Sequence, residues 1–182
     1  MGPVVSGDRL TAPTPKVSDL DLRLLRAAIA LSARARERGN EPYGALLGDA
    51  RGNVRLEAEN TQVNDRDCTG HAELNLMREA SQRFDAEVLA GCTVYASGEP
   101  CPMCAGAIYW SGVGRIVYAL SVRSMAELAG EAADEIRLGC AEVLAHGTRV
   151  VKVAGPMLED EARRVFDGMS RPPAKKGPHA GI

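Results

Sequence analysis

Four side chains in two short runs have the residue types of a metal-dependent active site. His71 and Glu73 belong to the run GHAE, and Cys101 and Cys104 belong to the later run EPCPMC. One imidazole and two thiolates are ligands that Zn²⁺ prefers, and they leave a fourth coordination position for water. A carboxylate that does not bind the metal can act as acid and base beside it. The pattern therefore predicts a catalytic zinc site with His71, Cys101 and Cys104 as ligands and Glu73 as the proton shuttle.

A structural zinc site is the alternative interpretation of the same residues. Structural sites have four protein ligands, usually at short local spacing. No fourth ligand is evident here. A predicted helix and strand also separate His71 and Glu73 from the cysteines, so the spacing is not local. Both features favour a catalytic site. Zinc would lower the pKa of water from about 15.7 towards roughly 7. The backbone N–H groups of Ala72 and Cys104 are the predicted donors to the reacting oxygen.

The order H-x-E…P-C-x-x-C is typical of zinc-dependent nucleobase and nucleoside deaminases. On these residues the chain resembles the cytidine/deoxycytidylate deaminase superfamily. The run 100–110 (PCPMCAGAIYW) is most similar to the guanine deaminase branch. The resemblance spans roughly residues 20–170. It implies an α/β fold, a three-layer α/β/α sandwich around a five-stranded mixed sheet. It also implies a homodimer and the hydrolytic deamination of a free nucleobase. The preferred substrate under this interpretation is a guanine-like purine.

The resemblance further implies residues that bind the substrate. The family has an Asn that hydrogen-bonds the base where this chain has Asn60, although Asn is also common in plain turns. Trp110 would wall the base pocket, or else lie in the core or in a dimer interface. Guanine deaminases have an acid in the region of Glu131, Asp134 and Glu135 that grips the polar face of guanine. The spacing does not decide among these three acids, and a solvated charge cluster is the alternative.

Hydrophobic periodicity places these residues on alternating strands and helices. Ser18 precedes a predicted helix over 19–38, followed by a hairpin of strands 43–48 and 54–58 and a polar loop over 62–69. The pattern then predicts helix 71–84, strand 92–97, helix 101–111, strand 116–120, a helical segment 124–129, a loop through Cys140, strand 149–153 and helix 156–169. Strands alternating with helices indicate helices packed on both faces of a sheet.

Composition indicates one globular domain. The 182 residues are 45% hydrophobic and 25% charged, as in a single globular domain. With the resemblance, this predicts a zinc-dependent deaminase domain over 18–170 between flexible tails over 1–17 and 171–182. The net charge of −2 lacks the basic excess of a nucleic-acid binder. Of the five cysteines, two form the C-x-x-C and three are scattered singly, which does not indicate a disulfide framework and favours a reducing cytoplasm. No apolar run reaches transmembrane length, so no membrane association is expected.

The motifs determine the reaction better than they determine the substrate. The same chemistry on cytosine, on a triazine such as ammeline or on a nucleoside is the nearest alternative to guanine. Editing of adenosine in tRNA is a second alternative, which the acidic balance disfavours. A non-catalytic, zinc-stabilised binding module is the third.

Overall fold

The strands of the protein form one mixed sheet. The computed structural model describes residues 16–130 and 136–169. Its strands are β1 (Gly44–Gly48), β2 (Val54–Glu59), β3 (Thr93–Gly98), β4 (Arg115–Leu120) and β5 (Lys152–Ala154). Their order in the sheet is β2-β1-β3-β4-β5. β1 pairs antiparallel with β2 and β3, whereas β3, β4 and β5 run parallel. The predicted five-stranded mixed sheet is confirmed.

Helices cover both faces of this sheet. They are α1 (Asp19–Glu37), α2 (Gln62–Asp65), α3 (Ala72–Arg83), α4 (Ala86–Ala90), α5 (Pro102–Ser111), α6 (Val122–Ala129), α7 (Cys140–Ala145) and α8 (Glu159–Arg163), with a 3₁₀ turn at Arg164–Phe166. Alternate strand residues point to opposite faces. Leu46, Tyr95 and Val117 therefore pack with α1 and α8, while Val94 and Ile116 pack with α3, α5 and α7. This arrangement is the predicted three-layer sandwich.

The start of α1 is fixed to the sheet by a buried polar network. Ser18 and Asp21 form a capping box, in which each side chain bonds the other residue's backbone N–H. Asp21 also accepts from the Tyr95 hydroxyl at 2.8 Å and from the Arg115 guanidinium at 2.6 Å. Burial opposes ionisation of Asp21, but the Arg115 guanidinium and the other donors hold its pKa well below the usual range.

The predicted loop over 62–69 is wrong in part, because the structure places α2 at its start. The Asn40 side chain, next to the end of α1, accepts hydrogen bonds from the backbone N–H groups of Val63 and Asn64, both at 3.1 Å. These are donors of the first helical turn, which otherwise have no acceptor within the helix. A cap from a distant part of the chain thus stabilises a helix that local sequence does not predict.

The later elements also differ from their predictions. The predicted loop through Cys140 ends at that residue, where α7 begins, and α4 was not predicted. The predicted helix over 156–169 is shorter, because Leu158 adopts a left-handed conformation (φ 59°) and α8 begins only after it. The last strand begins at Lys152, since the Arg149 backbone N–H bonds the Tyr109 hydroxyl rather than another strand.

Several predicted features lie outside the described residues. These are the acids Glu131, Asp134 and Glu135 and all of both predicted tails except Lys16 and Val17. Val17 packs against the core cluster of α1. Within the two described ranges, no helix is both long enough and apolar enough to cross a membrane.

Candidate metal centre and active site

The structure brings the three predicted metal ligands together. The His71 Nδ1 atom lies 3.6 Å from the Sγ atom of Cys101 and 3.6 Å from that of Cys104. The three donor atoms all lie within 4.8 Å of one another. A nitrogen and a sulfur bound to one zinc ion at about 2.0 and 2.3 Å, at a tetrahedral angle, are separated by about 3.5 Å. The donor set and its spacing therefore fit Zn²⁺.

Helix starts position all three ligands. His71 is the N-cap residue of α3, Cys101 is the N-cap residue of α5, and Cys104 lies in the first turn of α5. The two helices pack side by side on the same face of the sheet. Free N–H groups and the positive end of the helix dipole favour thiolates at such positions.

A tight backbone contact holds the residue before His71. The Thr61 N–H donates to the Gly70 carbonyl oxygen at 2.8 Å. A Cβ atom on Gly70 would lie 2.9 Å from both the Gln62 nitrogen and the Thr61 hydroxyl oxygen, so only glycine fits without displacement. The Asn75 amide, one turn after His71, donates to the same hydroxyl at 3.1 Å. The sequence pattern does not single out Asn75, which is a polar residue beside the buried side of α3.

Glu73 lies beside the cysteines rather than in solvent. It is 5% exposed, and the Cys104 Sγ atom lies 3.6 Å from its Oε2 atom. Burial raises the pKa of Glu73 to about 6, since a desolvated carboxylate loses its hydration. A carboxyl group at this position is within reach of both a metal ligand and any molecule bound next to it.

The two thiols have opposite electrostatic environments. A hydrogen bond from the Cys104 thiol, together with one from His71, lowers the pKa of Cys101 to about 4. Donating that hydrogen bond, being buried and lying near Glu73 all raise the pKa of Cys104. The hydrogen bond to Cys101 also raises the pKa of His71. Metal binding requires deprotonated ligands and therefore releases protons from this cluster.

Asn60 and Ala72 lie next to the start of α3. Asn60 is 1% exposed; its side-chain amide donates to the Gln62 side-chain oxygen at 2.8 Å and accepts from the Gln62 backbone N–H at 3.0 Å. Ala72 is buried and is the first residue of α3, so its backbone N–H has no acceptor within the helix. Ala72 directly follows His71, and Asn60 directly precedes Thr61, whose backbone N–H bonds the carbonyl of Gly70.

Trp110 lies at the opposite end of α5 from the cysteines. It is 85% exposed, and its ring packs edge-to-face on Tyr109 with centroids 5.4 Å apart. Trp110 is therefore not a core residue of this chain. Met103, which is 38% exposed, and Gly106, whose Cβ position is open, lie on the same side of the helix at i, i+3 and i+7 spacing.

Comparison with known proteins identifies the family. Residues 18–120 match the model of the cytidine and deoxycytidylate deaminase zinc-binding region. The chain belongs to this deaminase family. The matched range contains His71, Glu73, Cys101 and Cys104, so the zinc-binding character of the family agrees with the donor group described above.

Three similar proteins illustrate the range of substrates in the family. A probable cytosine deaminase of Schizosaccharomyces pombe is 37% identical over 150 residues, covering 81% of this chain and 90% of that protein. The guanine deaminase of Bacillus subtilis is 36% identical over 104 residues, covering 57% of this chain and 66% of the relative. A solved structure from a study of tRNA:A34 deaminases is 26% identical with a TM-score of 0.63, covering 79% of this chain and 99% of that one.

Proposed function

We propose that the protein is a zinc-dependent hydrolase that removes an amino group from a free nucleobase and releases ammonia. The observation that supports this most directly is the buried Glu73 carboxyl beside the group of His71, Cys101 and Cys104. These three residues are the proposed ligands. Zinc bound to them would supply hydroxide near neutral pH, because it would lower the pKa of water from about 15.7 to about 7.

Glu73 is the proposed proton shuttle. Its carboxylate accepts a proton from the attacking water and gives it to a ring nitrogen of the base. It next takes the remaining proton from the hydroxyl group added to the carbon and gives it to the leaving amine. The carbon–nitrogen bond then breaks, a carbonyl group forms and ammonia departs. Its burial excludes competing water, and its position at the start of α3 keeps it next to Cys104.

The backbone N–H of Ala72 is the proposed donor to oxygen at the reacting carbon. As the first residue of α3, Ala72 has an N–H group that no helical carbonyl uses. Cys104, in the first turn of α5, also has a backbone N–H group without an acceptor in its own helix, so it is the second proposed donor.

Asn60 is the proposed reader of the polar edge of the base. Its side chain is buried. Among the described residues, the Asn60 amide nitrogen has one hydrogen-bond partner, the flexible side chain of Gln62. A base can replace that partner at little cost, because one hydrogen bond is exchanged for another. Substrate contacts by Trp110, Glu131 and Asp134 are retained from the sequence as predictions.

Guanine is the proposed substrate. The run 100–110 resembles the guanine branch, and one relative is named guanine deaminase. Cytosine is the second candidate, since the match to the probable cytosine deaminase extends over 90% of that protein. Triazines, nucleosides and adenosine in tRNA are further outcomes of the test, as is a zinc-stabilised module without activity.

A homodimer and a cytoplasmic location complete the proposal. The exposed apolar side of α5, formed by Met103, Gly106 and Trp110, supports association with a second copy. All five cysteines are free, as in a reducing compartment.

The test is ammonia release by the zinc-loaded protein from guanine, cytosine, adenine, ammeline, the corresponding ribosides and a tRNA anticodon arm. We expect guanine to react with the largest kcat/KM. Turnover of cytosine or a nucleoside, with no turnover of guanine, would change the proposed substrate but not the proposed reaction. A folded, zinc-loaded protein that releases no ammonia from any of them would favour the binding module.

A further inference from the structure

Glu99 is a buried carboxylate that the proposed reaction does not use. It lies between the end of β3 and the cysteine run, and it is 8% exposed. Its Oε2 atom accepts the backbone N–H of Val122 at 2.9 Å, and its Oε1 atom accepts the backbone N–H of Cys140 at 2.9 Å. The Glu99 backbone N–H donates to the Leu120 carbonyl at 2.7 Å. Glu99 therefore bonds two separate parts of the chain, the junction between β4 and α6 and the start of α7.

These bonds tie the loop before Cys101 to two helices. Val122 is the first residue of α6, and Cys140 is the first residue of α7. Cys140 is fully buried in the same core cluster as Ala105 of α5, so α7 and the cysteine-bearing helix share one packed layer. The Glu99 side chain thus connects the loop that enters α5 to an element that packs on α5.

Gly139 shows how closely the surroundings fit the Glu99 carboxylate. A Cβ atom built on Gly139 would lie 2.9 Å from the Glu99 Oε1 atom. The backbone of Gly139 has φ −68° and ψ 146°, which any residue adopts. A side chain at Gly139 would therefore displace the Glu99 carboxylate, whereas the backbone conformation itself does not require glycine.

We propose that Glu99 is a positioning residue of the metal centre, holding the Cys101 loop so that its sulfur meets His71 and Cys104. The Cys101 side chain makes no capping hydrogen bond to the first turn of α5. The placement of Cys101 therefore depends on the loop that precedes it. A metal site loses affinity when its ligands move by about 0.5 Å. The inference rests on the proposed function, because it requires His71, Cys101 and Cys104 to be the ligands.

The direct test is the zinc affinity of the Glu99→Gln variant, measured by competition with a chromophoric chelator. Glutamine keeps the size of the side chain but places an amide NH₂ against a backbone N–H, so one of the two bonds is lost. We expect zinc affinity to fall by about 10- to 100-fold, the usual effect of changing a group that orients ligands. Gly139→Ala should lower zinc affinity in the same direction, because its added methyl group displaces the same carboxylate.

Glu159→Gln is the matched control. Glu159 accepts from the Ser121 backbone N–H at 3.1 Å and from the Ser124 hydroxyl at 2.6 Å, so it also bonds the start of α6 through a carboxylate. We expect its zinc affinity to stay within about twofold of wild type, even where its thermal stability falls. Thermal unfolding of all three zinc-free variants separates loss of stability from loss of positioning.

Two results would overturn the inference. One is wild-type zinc affinity in both Glu99→Gln and folded Gly139→Ala. The other is an equal loss of zinc affinity in Glu159→Gln, which would show that affinity follows general stability. A wild-type protein without zinc affinity would contradict the proposed function itself, and the inference with it.

Discussion

At the scale of single residues, the carboxyl group of Glu73 is what separates a catalytic from a structural metal site. Within the described ranges, the group of possible metal ligands around His71 has three members, one fewer than a closed structural zinc site requires. Glu73 is buried against this group instead of pairing with a surface cation. Burying a carboxyl group is unfavourable for folding, and active sites are where such groups concentrate.

Glu73→Gln should therefore abolish most activity without loss of the metal. We expect kcat for ammonia release to fall by about 10²- to 10⁴-fold, the contribution of a positioned acid and base. Zinc content, measured by mass spectrometry of the metal, should be unchanged. Glu79→Gln on the same helix, where Glu79 pairs with Arg83 in solvent, is the control and should keep wild-type activity. A Glu73→Gln enzyme within threefold of wild type would contradict the proposed role.

Asn60→Asp tests whether the amide of Asn60 binds the base. Aspartate keeps the oxygen that accepts the Gln62 backbone N–H but has no NH₂ to donate. We expect kcat/KM to fall at least about tenfold, the cost of one hydrogen bond of about 1.4 kcal/mol. Gln62→Ala removes only the neighbouring partner and should change kcat/KM by less than about threefold. Equal effects of the two changes would assign Asn60 to the turn alone.

The residues that could be predicted from sequence are those with local spacing. Cys101 and Cys104 lie one helical turn apart, so their meeting follows from the helix itself. Glu99 and Asn75 gave no such signal. The Glu99 carboxylate bonds an N–H group 41 residues away, and the Asn75 amide bonds a hydroxyl group 14 residues away. Only the folded chain shows those partners.

At the scale of elements, the same distinction explains which helices were predicted. α1 was predicted almost to the residue because its Ser18 cap and its apolar spacing are local. α7 was missed because its first N–H is capped by Glu99, and α2 because it is capped by Asn40. Short helices stabilised by distant side chains have too little local signal to be predicted.

The anchor of α1 predicts an acid-dependent loss of stability. The pKa of Asp21 is lower in the folded state than in the unfolded chain. The ionised carboxylate therefore contributes fully to the free energy of unfolding above the unfolded pKa of about 3.9. This contribution is lost as the pH falls towards the folded pKa. We expect Asp21→Asn to lower the free energy of unfolding by about 2 kcal/mol at pH 7. The difference from wild type should shrink below pH 4 by up to about 1.4 kcal/mol per pH unit.

Urea unfolding between pH 7 and pH 3 measures this difference. Asp19→Asn, an exposed acid in the same first turn, is the control and should change stability by less than about 0.5 kcal/mol at every pH. If the free energies of unfolding of wild type and Asp21→Asn differed by the same amount down to pH 3, the ion pair with Arg115 would not be the cause of the difference.

At the scale of the whole molecule, α5 is the one site-bearing helix with apolar residues on its solvent side. Its inner side packs against α3 and α7 through Ala105 and Ile108. Its outer side presents Met103 and Trp110, and Trp110 is 85% exposed. A helix that is apolar all round is normally buried. The proposed second copy would cover this side and lie close to the metal centre, since Met103 is adjacent to Cys104.

Trp110→Glu should therefore prevent dimer formation. A charge in the centre of a buried apolar interface leaves an unpaired group without water, and large aromatic residues dominate such interfaces. We expect light scattering after size-exclusion chromatography to give about twice the chain mass of 19.3 kDa for wild type and about that mass for the variant. Val54→Glu, an equally apolar exposed position on the edge strand β2, is the control and should remain dimeric. A monomeric wild type, or a dimeric Trp110→Glu protein, would show that this side of α5 does not form the proposed interface.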